Sequence, residues 1–245
     1  MLDQYVEFIE QLPDSRELKK EDLLTSPFLI EKENNLEMYY SPHNDYINEN
    51  AVIVIVGITP GWTQTKKAFE TFVSLHKKRE LPIHTILKET KKAASFSGSM
   101  RSNLIHMLDE CHLHSALGIP SCSYLFEEKR SILHTTSLVK YPVFYKGKNY
   151  TGHQPKIANS DLLSRYSYHS FAEEIHSLPS TSLLIPLGKR VDAVINELKQ
   201  KGKITQNCLK GFPHPSGANG HRIREFNIRK DQLISEVTHW GNMKV

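Results

Sequence analysis

Cysteine is scarce in this chain: Cys111, Cys122 and Cys208 are the only three, far apart and never in a C-x-x-C pair. That spacing argues against a zinc ribbon, a four-cysteine iron–sulfur cluster and a disulfide framework, and leaves three buried or neutral thiols. No apolar run approaches the length needed to cross a bilayer. The first residues, MLDQYVEFIEQL, form an acidic amphipathic pattern without a cleavable signal, so a cytoplasmic protein that does not engage membranes is expected. Internal repeats, low-complexity tracts and linker-like segments are also missing. One domain over residues 1–245 is therefore expected, with residues 1–50 as an N-terminal helical extension.

What remains is an ordinary globular composition, 39% hydrophobic and 24% charged, in a chain long enough to bury a sizeable core. The net charge is +4, with 13 histidines in reserve, and suits a polyanionic partner without demanding one. Lysine and arginine cluster at 66–67, 77–79, 140–148 and 222–230, where each cluster alone reads as a solvated surface.

The segment AVIVIVGITPGWTQ (51–64) runs continuously apolar and then breaks at Gly57, Pro60 and Gly61. Such a run predicts a strand buried on both faces, the habit of a parallel sheet, and its carboxyl end is where ligands gather in open α/β sheets. Further strands are predicted at ILHTTSLV (132–139), TSLLIPLG (181–188) and QNCLKGF (206–212). Helices are predicted over residues 2–12, with Leu2, Tyr5, Phe8, Ile9 and Leu12 on one face, around Ala68–Leu75, around Leu104–Leu108, after Gly188, and over about 222–236. The stretch after Pro13 reads as polar and loop-like, and YPVFYKGKNYTGHQPK (141–156) as a loop whose Tyr141, Phe144, Tyr145 and Tyr150 either pack inward or contact a nucleotide together with its lysines. Alternating strands and helices predict a parallel or mixed sheet covered on both faces.

A second turn, GFPHPSGANGHR (211–222), places His214 between two prolines and ahead of small residues that permit close approach. Held rigidly at a strand end, an imidazole can donate a hydrogen bond to charge developing on a leaving group; the alternative is a surface loop with an idle histidine.

Taken together and in order, GITPG, SFSGSMRSNLIHML (95–108), TTSLVKYP (135–142), LLIPLGKRVDAVI (183–195) and HPSG resemble the motifs of the uracil-DNA glycosylase superfamily. The resemblance spans islands from about residue 51 to 222. It implies a three-layer α/β/α sandwich around a central four-stranded, mainly parallel sheet, and a monofunctional DNA glycosylase acting as a monomer on a pyrimidine flipped out of DNA, with no cofactor and no metal. By this resemblance His214 and Thr59 are the catalytic residues, the first stabilising the departing base and the second handling water. A threonine hydroxyl orients water but is no carboxylate base, so either departure of the base leads or an acid such as Asp109 or Glu70 assists.

The same resemblance puts Gly57, Ile58, Phe96 and Ser137 around the base, Phe96 as its stacking ring within a wall that includes Ser95, Ser97 and Gly98. It puts Ser216, Gly217, Asn219, Arg222 and Lys140 against DNA phosphates. Two departures stand out. Ser137 occupies the position of an asparagine that pairs with uracil, so bidentate recognition is lost and room is gained for a larger pyrimidine, for example a glucosylated hydroxymethylcytosine of phage DNA excised in antiviral defence. Ala218 and Asn219 are small where many relatives carry an apolar wedge. The alternatives are a uracil-DNA glycosylase of base-excision repair, a DNA-binding relative without catalysis, and a hydrolase of free nucleosides or nucleotides.

Overall fold

The structure, a computed structural model, describes residues 1–96 and 98–243. In chain order its elements begin with α1 (Val6–Glu10), α2 (Lys20–Leu23), β1 (Leu29–Glu33), β2 (Leu36–Tyr39), β3 (Ile53–Gly57), α3 (Trp62–Lys78), α4 (Ile83–Ala94), α5 (Gly98–Glu110) and α6 (Leu113–Leu117). They continue with β4 (Leu133–Ser137), β5 (Val143–Tyr145), β6 (Lys148–Asn149), α7 (Asp161–Arg165), α8 (Phe171–His176), β7 (Leu183–Pro186), α9 (Lys189–Gln200), β8 (Asn207–Cys208) and α10 (Arg222–Asn242). No helix among the described residues is long and apolar enough to cross a membrane.

The chain gathers into two compact units whose segments alternate along the sequence. One unit comprises Asn48–Ile58, Phe96–Leu138 and Tyr168–Val245. It contains a parallel sheet in the order β4-β3-β7-β8. Strand side chains alternate between faces, and the register sorts them cleanly. Ile53, Ile55, Leu133, Leu183 and Ile185 share one apolar cluster with Leu104, Met107 and Leu108 of α5 and with Phe226, Leu233, Val237 and Trp240 of α10. The intervening positions turn to the opposite face, where His134 of β4 meets Glu174 of α8 at 3.0 Å and α9 buries Val191, Val194, Ile195 and Leu198. Helices thus cover both faces of a four-stranded parallel sheet, the α/β/α layering expected from the sequence. Every strand predicted from 51 onward lies in this sheet, though each is shorter than its apolar run.

The other unit comprises Met1–Ile47, Thr59–Ser95 and Val139–Ser167. Its sheet was not expected. β1, β2, β5 and β6 pair antiparallel in that order, occupying stretches that read as loop. These strands are short and carry charge, as in LIEKE, so no apolar run announces them; two local hairpins, β1–β2 and β5–β6, are joined into one sheet by the distant β2–β5 pairing. Lys146 and Gly147 both take left-handed backbone, φ 50° and 72°, the requirement of a tight two-residue hairpin. The aromatics of this loop point mostly inward: Tyr141, Phe144 and Tyr150 are buried. Stacked rings knit the core, with Tyr5 and Tyr40 centroids 4.0 Å apart and nearly parallel, and Phe28 edge-on to Phe69 at 5.0 Å. On the N-terminal helical face Leu2, Tyr5, Ile9 and Leu12 are buried as expected, whereas Phe8 remains 40% exposed.

Candidate active site

Parallel strands bring their carboxyl ends to one edge of a sheet, and that edge collects most of the residues singled out above. Gly57 and Ser137, the last residues of β3 and β4, are register partners. A side chain built on Gly57 would lie 3.4 Å from Ser137 Oγ, in ordinary contact with this half-buried hydroxyl. Ser137 continues the odd positions of β4 and faces the same side as Phe96, which is 7% exposed within the apolar cluster of that side. Ile58 follows Gly57 and is half-buried.

Beyond β7, the chain turns at Gly188 with φ 92°, a backbone conformation that side chains strongly disfavour. Its N–H donates to Phe212 O at 2.9 Å, and a Cβ added there would lie 3.2 Å from His214 Cβ. A glycine is required because the His214 loop crosses directly over this turn. The loop then staples itself: Asn103 Nδ2 donates to Pro215 O at 3.0 Å, Asn219 Nδ2 to His214 O at 3.2 Å, and Arg222 Nη1 to Ser216 O at 2.7 Å. The Ser216 hydroxyl accepts the Ala218 N–H at 3.2 Å, and Gly217 is exposed.

His214 itself receives the Ser216 backbone N–H on Nδ1 at 3.2 Å. A backbone amide only donates, so Nδ1 is the unprotonated nitrogen and the ring proton of the neutral form sits on Nε2. Burial lowers the imidazole pKa below its ordinary value. The ring is therefore a neutral, oriented N–H donor at neutral pH, and Nε2 has no protein partner among the described residues.

Thr59 and Lys140 belong to the other unit. The Thr59 hydroxyl donates to Tyr141 O at 2.8 Å and accepts the Val143 N–H at 3.1 Å, tying the turn after β3 to the chain entering β5. With its proton committed, it has one remaining lone pair that can accept from water but cannot take up a proton. The same turn is capped by Asn149 Oδ1, which accepts the Trp62 N–H at 3.0 Å, and by Gln64 Oε1 on Gly61 N–H at 3.2 Å. Lys140 is half-buried.

Neither candidate auxiliary acid is idle. Burial by itself raises the Asp109 carboxyl, but the Cys122 N–H at 2.6 Å and the Ser121 hydroxyl at 2.8 Å outweigh it and hold the group below the usual carboxylate range. Glu70 accepts the Leu18 N–H at 3.3 Å and pairs with Lys66 at 3.7 Å. The cysteines are inert: burial pushes the thiols of Cys111 and Cys208 up to about 12, and that of Cys122 higher still. Of the wall around Phe96, Ser95 is buried and donates to Lys91 O at 2.6 Å, Gly98 opens α5 with φ 57°, and Ser97 lies outside the described residues.

Three contributors were missed in the sequence. Gly188 was legible as a glycine at a strand-to-helix junction. Asn103 and Arg101 sit inside the SFSGSMRSN stretch, but their roles depend on groups five to more than a hundred residues away.

No family model matches the chain. The crystal structure of wild-type Pedobacter heparinus SMUG2 aligns with 98% of this chain and 97% of its own, with a TM-score of 0.47 at 14% identity. The chain is 49% identical over 239 residues to the uncharacterized protein YoxB of Bacillus subtilis (strain 168), a match spanning 96% of this chain and 91% of that protein. Identity of that extent, along nearly the whole of both sequences, makes this chain a member of the YoxB family.

Proposed function

We propose that this protein is a DNA glycosylase that hydrolyses the N-glycosidic bond of a pyrimidine nucleotide taken out of the DNA stack. The observation that carries this reading is His214: a neutral imidazole, fixed in its Nε2–H tautomer by the Ser216 amide, at the carboxyl edge of a parallel sheet. Cleavage of a glycosidic bond to a pyrimidine sends an electron pair onto the base, and a positioned N–H donor stabilises the developing oxyanion. Donors of this kind lower barriers by about 3 kcal/mol. A neutral donor serves better than an imidazolium that would have to be kept charged in a partly desolvated site.

On this reading Phe96 stacks on the base and Ser137 offers it one hydroxyl from the sheet edge. Gly57 and Ile58 form the turn beside the base. Ser216, Gly217, Asn219, Arg222 and Lys140 approach phosphates, and Thr59 orients the water that captures the sugar cation. Water supplies the hydroxyl to the sugar and the proton that leaves with the base. Because serine lacks the two-ended amide that distinguishes uracil from cytosine, the reading extends to a modified pyrimidine, with a hydroxymethylated or glucosylated cytosine of phage DNA as the specific case.

The test is incubation of the purified chain with DNA containing uracil, cytosine, hydroxymethylcytosine or glucosylated hydroxymethylcytosine, followed by abasic-site counting and mass spectrometry of free bases. Abasic sites that vanish in His214→Ala support the activity, and the released base names the substrate. Release of uracil alone makes this a repair enzyme. Salt-sensitive DNA binding without release of any base, against Thr59's fully committed proton, makes it a binding protein.

A further inference from the structure

Phe96 carries an unusual backbone. Its φ of 29° lies in the left-handed region, a strained outlier for a bulky aromatic. The ring is nevertheless held in the apolar cluster that also contains Leu104 and Phe126, on the Ser137 side of the sheet. Something must favour this conformation over the relaxed one.

Arg101 is placed to do so. Its Nε donates to Phe96 O at 2.6 Å, a short charge-assisted bond, and its guanidinium carbon lies 5.2 Å from the centroid of the Phe126 ring. This placement is unfavourable on two other counts. Arg101 lies in the first turn of α5, where the helix dipole disfavours a cation, and burial works against its charge. A surface arginine would avoid both by turning to water. This one turns its Nε–H to a backbone carbonyl.

We infer that Arg101 is a positioning residue: by binding the Phe96 carbonyl and bracing on Phe126, it holds the left-handed Phe96 backbone and thereby fixes the stacking ring against which the flipped base is held. The inference rests on the glycosylase reading for the base and on the Phe96–Arg101–Phe126 geometry for the latch. It differs from a phosphate contact, the ordinary role of an arginine in a DNA-binding protein, because the Nε–H of the guanidinium is directed at the protein's own backbone.

Two measurements test it on the full chain. The first is a double-mutant cycle of Phe96→Leu and Arg101→Met in kcat and KM on the preferred DNA substrate. If Arg101 acts through Phe96, Arg101→Met lowers kcat/KM about 10- to 100-fold in the wild-type background and less than about twofold once Phe96 is leucine. Independent, multiplying losses overturn the proposal. So does a fall of about one in the slope of log affinity against log salt for Arg101→Met, which would make Arg101 a phosphate contact.

The second is hydrogen–deuterium exchange without DNA, in which Arg101→Met speeds exchange at the amides around Phe96 about tenfold or more while α10 and the parallel sheet stay protected. Unchanged exchange around Phe96 overturns the latch. If Arg101→Met loses its cooperative melt, Arg101→Lys, which keeps charge and stem but not the planar fork, carries both comparisons and is expected to restore less than half of the lost activity. Failure of the wild type to release any base would overturn the glycosylase reading and the stacking role with it, whereas the exchange result decides the latch either way.

Discussion

His43 is buried and His214 half-buried, and desolvation keeps both neutral, yet they present different chemistry. His43 sits in the unit built on the antiparallel sheet, 4% exposed, with Nδ1 2.9 Å from the Ser41 hydroxyl; burial first, and the charge of Lys91 second, press its pKa well below the ordinary value. A hydroxyl both donates and accepts, so that contact leaves the tautomer open. His214 sits in the unit built on the parallel sheet, and its Nδ1 partner is an amide that can only donate. Burial alone makes an imidazole neutral. A one-way partner, together with an Nε2 that has no hydrogen-bond partner among the described residues, makes it an aimed donor.

The largest effect that would sharpen this contrast is on turnover. His214→Ala is expected to lower kcat about 100- to 1000-fold with little change in melting temperature, as for loss of an oxyanion donor. His43→Ala is expected to do the reverse, lowering stability by about 2–4 kcal/mol through a buried polar cavity while kcat changes less than severalfold. Steady-state kinetics beside denaturant melts distinguish them, and a kinetic loss in His43→Ala equal to that in His214→Ala would erase the comparison.

Next comes Gly188→Ala. The alanine would be strained at φ 92° and would press on His214 Cβ from 3.2 Å, so the His214 loop must shift by a few tenths of an ångström. A tenfold or so loss of kcat is expected, since a displacement of about 1 Å can cost about 100-fold. The same substitution should leave His43 and the other unit's hydrogen exchange unchanged.

Both histidines also set a pH dependence. Each has a folded-state pKa below its unfolded value, so at pH values between the two the unfolded chain binds more protons than the folded one. The stability they contribute is complete above the unfolded value of about 6.5 and is lost as pH falls from there toward the folded values. Chemical melts from pH 8 to pH 5 should show this decline, reduced when His43 is replaced by a non-titrating residue. Activity should be flat across neutral pH and fall on the acid side as protonation of Nδ1 breaks the Ser216 bond, at a pH below that of a free imidazole.

The smallest effect expected is from Thr59→Val. It removes two hydrogen bonds that hold the turn after β3, worth about 1–3 kcal/mol of stability, while kcat drops less than about tenfold because the hydroxyl orients water without taking its proton. A loss rivaling that of His214→Ala would move Thr59 to the centre of the chemistry.

The parallel sheet was legible in the sequence because strands buried on both faces must be continuously apolar, and AVIVIVG and TSLLIPLG say so locally. Glycine at the strand ends and proline on either side of His214 were equally local signals, since both act through the backbone of the residue itself. The antiparallel sheet was not legible: LIEKE and LEMY pair with each other in a short charged hairpin without an apolar run, and LEMY joins β5 more than a hundred residues away. Nor was Phe8's exposure, since the apolar pattern placed it on the same helical face as the buried Tyr5, Ile9 and Leu12.

At the candidate site the same division holds. Sequence determined which residue types stand at the strand ends, and hence the class of chemistry they could perform. Tertiary structure decided the tautomer of His214, the commitment of Thr59's proton to Tyr141, the need for glycine at 188 and the pairing of Arg101 with the Phe96 carbonyl. The reason is physical: composition and periodicity follow from what a residue does with water and with its immediate neighbours, whereas the direction of a hydrogen bond belongs to a pair that only folding brings together.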